Sequence, residues 1–198
     1  MRPTFTLVLL VGLFLAGAAQ DQGRAQAGGP SNDLVGAGLD DTYWYVPTTY
    51  LPASLTINSV PRVVTVSDQT VWRIVKYSGG YVSGISATNL GAGWSYTLMN
   101  GSITPDGSVK LSFSPLGSPN PNDPTTQVVT TGDGTLRRTG MRLEFLMQMA
   151  TGTAAAGVTH WARMMRVGPG DREWLFLPGY PTTGVPDLEL LQTPIVYR

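Results

Sequence analysis

His160 is the only histidine in this 198-residue chain, and there is no cysteine. Any chemistry that needs an imidazole must use that one ring. A Ser-His-Asp arrangement also needs a nucleophile on a sharp strand-to-helix turn. The nearest candidate, Gly93-Trp94-Ser95-Tyr96-Thr97, lacks the closing glycine and reads as the start of a strand. Serine hydrolysis is therefore not expected. Zinc sites draw on several His or Cys ligands, which this composition cannot supply. Asn120, Asn122, Asp123 and Asp133 do not follow the alternating oxygen spacing of a calcium loop and read as turn formers. No metal, no cofactor and no catalytic residue is expected.

Glycoside hydrolysis requires two carboxylates about 5–9.5 Å apart. Glu144 is the one acidic residue inside a clear strand pattern, while Asp41, Asp68, Asp106, Asp123, Asp133 and Asp171 fall in segments that read as turns or linkers. By parity Glu144 shares a face with Arg142 and Gln148, opposite Met141, Leu143, Phe145, Met147 and Met149. The expected role of that face is a solvated surface with ionic contacts. An enzyme built on Glu144 with Arg142 or His160 is the chemical alternative. Tryptophan and tyrosine carry the other signal, being spread over nearly every strand pattern. Most should be core, but aromatics at a barrel mouth commonly line a ligand pocket. Trp94, Tyr96, Trp161 and His160 are the expected ligand-binding residues.

The elements that must position these groups follow a period of two. Ser108–Ser114 alternates Val109, Leu111 and Phe113 with Ser and Lys, as a strand with one dry face does. Thr104-Pro105-Asp106-Gly107 before it reads as a type I turn with a glycine bulge, so residues 94–114 form a hairpin. A second hairpin joins 70–77 to 81–87 through Ser78-Gly79-Gly80, and Gly132-Asp133-Gly134 marks a third. Further strands are read at 42–46, 61–66, 141–150, 158–167 and 174–177. Residues 115–124 are loop, and 187–192 a short helix. The fold class is all-β: a single antiparallel up-and-down barrel of about eight strands, with a two-sheet sandwich as the alternative.

The N-terminus sets the expected address. Arg2, an apolar run over Phe5–Ala16 and the small residues Gly17, Ala18 and Ala19 together match a secretory signal peptide. The expected organisation is a signal over 1–19, with cleavage as late as 27; a leader over 20–41; a barrel over 42–177; and a tail over 178–198. A secreted or periplasmic protein with no integral span after cleavage follows. Thirteen basic and thirteen acidic residues give no net charge, which argues against nucleic acid as a partner. With no disulfide available, the fold must rest on its own core.

An exported meander of this kind followed by a short helix resembles the calycins, the lipocalins and avidins. Thr70-Val71-Trp72 is similar to the lipocalin Gly-x-Trp without its glycine, and Thr159-His160-Trp161 to the avidin Thr-x-Trp. The resemblance implies a barrel and carries no ligand with it. The functional expectation is a non-catalytic barrel binding a small apolar or aromatic-stacking ligand. The alternative partner is a cell-envelope protein, met by the loops of a barrel without a cavity.

Overall fold

The computed structural model describes residues 38–48, 50–89, 94–116, 128–153, 156–168 and 170–176. The segments expected to be the signal, most of the leader, the tail and the short helix at 187–192 lie outside them. Ten strands form one antiparallel sheet: β1 (Thr42–Tyr45), β2 (Tyr50–Ile57), β3 (Val60–Ser67), β4 (Gln69–Ser78), β5 (Tyr81–Asn89), β6 (Trp94–Ile103), β7 (Ser108–Pro115), β8 (Val129–Thr139), β9 (Arg142–Gly152) and β10 (Ala156–Val167). Eight of them, β1 and β4 to β10, close into a ring through pairing of β1 with β10, as in Tyr43 opposite Val167. Closure gives nearly every strand two neighbours and removes most free edges. The fold is thus a closed barrel, not a sandwich.

β2 and β3 lie outside the ring as an arm. Their strands meet in full register from Tyr50 opposite Ser67 to Ile57 opposite Val60, and β2 also pairs with the first half of β10. Asn58 and Ser59 make the connecting turn, both at positive φ. β2 is absent from the strand reading because Pro52 breaks its pattern and its turn has no glycine.

Local chemistry explains the other turns. Gly79 and Gly80, both at positive φ, join β4 to β5 as a two-residue hairpin requires. At the β6–β7 turn Gly107 donates to the Thr104 carbonyl at 2.8 Å, and Thr104 donates to that of Ser108 at 2.9 Å. Gly107 has φ 87°, a left-handed conformation that costs any β-branched residue. Gly107→Val is therefore expected to lower stability by about 1 kcal/mol or more in denaturant titration. Unchanged stability would mean that the turn is not the constraint.

Three sequence expectations are corrected. Gly132-Asp133-Gly134 is not a turn but lies within β8, and the chain reverses later, at Gly140-Met141. These glycines exist for close packing: a Cβ on Gly134 would sit 2.1 Å from the Leu146 carbonyl oxygen. Met141, expected on the buried face, is 95% exposed at the tip of that reversal. The strand expected at 174–177 is instead a 3-10 helix, Arg172–Phe176, whose Trp174 packs edge-on to Tyr43 at 5.0 Å between ring centres.

Inside the ring the core centres on an aromatic layer. Trp44 and Phe145 are 4.5 Å apart, and Trp72 lies 5.6 Å from Phe113 and 5.8 Å from Phe145. Met99, Leu136, Met147 and Met164 fill the space around them. A smaller apolar cluster covers the outer face, where Tyr43, Val71, Ile85, Ala87, Val167 and Trp174 gather. Among the described residues no helix is long and apolar enough to cross a membrane.

Candidate functional site

The aromatic layer fills the lumen only partway. Toward the end where β4, β6, β8 and β10 begin, a cavity of about 430 Å³ remains, within the range of small-molecule sites. Trp72, Phe113, Met149 and Met164 form its apolar wall. Asp68, Thr70, Ser86, Thr88 and His160 supply the polar part.

Strand alternation decides which side chains reach this space. On β10 His160, Ala162 and Met164 point inward; Trp161 and Arg163 point out. On β4 the inward set is Thr70, Trp72 and Ile74, and Asp68 precedes them in the same phase. The inward phases of β4 and β10 bring His160 and Asp68 together across 92 residues of sequence. The His160 ring is 5% exposed and Asp68 is 1% exposed. Nε2 of His160 donates to Oδ2 of Asp68 at 3.2 Å, since the carboxylate can only accept. Thr70 Oγ1 donates to Oδ1 of Asp68 at 2.6 Å and lies 3.3 Å from Thr88 Oγ1, itself 3.0 Å from Ser86 Oγ. The polar side of the cavity is thus a connected network.

Two side-chain atoms of cavity-lining residues fall outside that network. Nδ1 of His160 and Nε1 of Trp72 are buried and have no hydrogen-bond partner among the described residues. Such orphans cost about 1–3 kcal/mol each when a buried polar group stays unpaired. The contrast with Trp44 is direct: its Nε1 donates to Thr42 Oγ1 at 2.9 Å, and Thr42 in turn donates to the Leu39 carbonyl at 2.6 Å. Among the described residues no hydroxyl lies within hydrogen-bond reach of Nδ1.

The other expected site residues are placed differently. Trp161 is 55% exposed on the outer face, opposite Gln148 of β9, away from the lumen. Trp94 and Tyr96 border the cavity mouth but pack against the outer apolar cluster. Asp68, read from sequence as a turn residue, is the functional group that reading missed. The available signal was its even-numbered phase with Thr70, Trp72 and Ile74.

Glu144 sits on the outer face of β9, so it and the inward His160 occupy opposite sides of the sheet and do not meet. Its side chain is 2% exposed beneath two half-exposed arginines. Oε1 accepts from Arg137 Nε and from Thr139 Oγ1, each at 2.7 Å, and Oε2 accepts from Arg163 Nε at 2.5 Å. Burial alone would raise its pKa, but these hydrogen bonds outweigh it and hold the carboxyl near 2. Arg142 is not among its partners. All the acceptor capacity facing those groups is used in structure.

A wider cleft of about 720 Å³ at the opposite end mixes Arg138 and Arg142 with Asp41, Asp171 and Glu173. Among the described residues that line it, no buried side-chain polar atom lacks a hydrogen-bond partner. Among the described residues no three His, Asp or Glu side chains gather at metal-binding spacing. No family model, curated protein or solved structure matches this chain.

Proposed function

We propose that this is an exported, non-catalytic, calycin-like barrel that binds a small, largely apolar ligand in the lumen beside His160. The observation that carries the reading is the cavity itself, with an apolar wall on one side and a connected polar network on the other. Binding there would remove apolar wall from water and place Trp72 in contact with the ligand. Export rests on the N-terminal charge, apolar run and small residues. A solid envelope-interaction barrel is the competing account, and the cavity argues against it.

The test uses N-phenyl-1-naphthylamine, a neutral apolar fluorophore. Titration into the purified protein is expected to give saturable probe brightening with a matching change in tryptophan emission. Thr97→Phe and Thr151→Phe each push a ring into the cavity from a different strand. Either is expected to weaken probe binding at least about tenfold while the far-UV spectrum is kept. Unsaturable signal, or saturation that both variants leave untouched, would remove the lumen as the site.

A further inference from the structure

The two orphaned atoms of the cavity have opposite hydrogen-bonding sense. With Nε2–H donated to Asp68, the uncharged form of the His160 ring presents a lone pair at Nδ1 and needs a donor. The Trp72 indole carries only a donor and needs an acceptor. Both residues line one cavity, one on β10 and the other on β4. Most of the hydroxyls around them are already engaged with one another or with Asp68: Thr70 with Asp68, Ser86 with Thr88, and Thr130 with Thr151. A ligand therefore gains most by answering these two atoms.

Charge narrows the class further. Among the described residues no lysine or arginine lines the cavity, and its one carboxylate and one imidazole, Asp68 and His160, are already paired with each other. An anion entering would lose its hydration, find no cation and face the Asp68 carboxylate. A cation would compete with His160 for a carboxylate that is already hydrogen-bonded twice.

Resting on the lumen-binding reading above, we infer that the ligand is an uncharged, mainly apolar molecule bearing a hydroxyl or N–H donor for His160 Nδ1 and a separate oxygen acceptor for Trp72 Nε1. A hydroxylated aromatic ether or ketone has this chemistry; a fatty acid or other carboxylate does not. The structure assigns His160 and Trp72 as the two residues that set polarity preference, with Asp68 as the positioning residue that fixes the imidazole tautomer.

Calorimetric titration with five molecules on one frame separates these terms: naphthalene, 2-naphthol, 2-methoxynaphthalene, 6-methoxy-2-naphthol and 2-naphthoate. The expected order places 6-methoxy-2-naphthol tightest, each polar group adding about five- to tenfold over naphthalene, and 2-naphthoate last. His160→Phe is expected to erase the gain from the hydroxyl and leave naphthalene binding in place. Trp72→Phe is expected to erase the gain from the methoxy group alone. Asp68→Asn, which frees the tautomer, provides a second route to a weakened hydroxyl preference should His160→Phe fold poorly. A hydroxyl that gives no gain, a gain that survives both His160→Phe and Asp68→Asn, or a preference for 2-naphthoate would overturn the inference. If none of the five binds, the failure belongs to the lumen-binding reading instead.

Discussion

A single methyl group at position 134 is expected to destabilise the barrel by about 3 kcal/mol or more, enough to leave Gly134→Ala largely unfolded under mild denaturant. The new Cβ would lie 2.1 Å from the Leu146 carbonyl oxygen and 2.7 Å from Met147 Sδ. The sulfur can move, but the carbonyl belongs to the β8–β9 ladder, where Gly134 opposes Met147. Relief requires separating two strands of a closed ring, and a ring cannot open at one seam without straining the next. Gly132→Ala, two residues earlier on the same face, provides the comparison. Its nearest obstacle is the Met149 sulfur at 2.8 Å, the far end of a flexible side chain. That variant should cost only about 1 kcal/mol. Equal midpoints for the two variants in guanidinium titration would show that the close approach at 134 is not a constraint.

Glu144→Gln is expected to cost about 2 kcal/mol at neutral pH and to flatten the acid limb of the stability curve. In the folded protein the Glu144 carboxyl titrates near 2, against 4.5 for an unperturbed one. Between those values the unfolded chain holds a proton that the folded chain does not. Stability from this group is therefore complete above about pH 5 and is lost as pH falls from there toward 2. The magnitude stays modest because Arg137 and Arg163 are half exposed and water screens them. Thermal melts of both proteins from pH 7 to pH 2 provide the readout. Parallel curves across the acid range would mean that the Arg137–Glu144–Arg163 cluster contributes nothing that protonation can remove.

The barrel was readable wherever alternation and turn chemistry agreed. Val109, Leu111 and Phe113 point inward as their spacing requires, and the turns at Gly79-Gly80 and Gly107 fall where the glycines announce them. Gly132 and Gly134 misled because a glycine that admits a neighbour's backbone has the same letter as one that turns the chain. Trp174 misled because an apolar run of four residues fits a strand or a helical turn equally well. The site was only half legible. Placing both His160 and Trp161 in it conflicts with the period of a strand, which sends adjacent side chains to opposite faces. His160 is the one that turns inward. Asp68 was hidden because its partner lies 92 positions away, and no local pattern encodes a contact formed by ring closure.

That closure also sets a timetable. The four-residue β1 is held between β4 and β10, so the seam cannot form until residues 156–167 have arrived. His160 and Asp68 meet only at the same late moment. Contacts of such long sequence separation make folding slow relative to local hairpin formation. In a chain threaded outward from its N-terminus, the early hairpins can form while the ring stays open and unable to lock. On the export proposed above, such delayed locking would keep the polypeptide fit for passage and postpone assembly of the cavity until β10 had crossed.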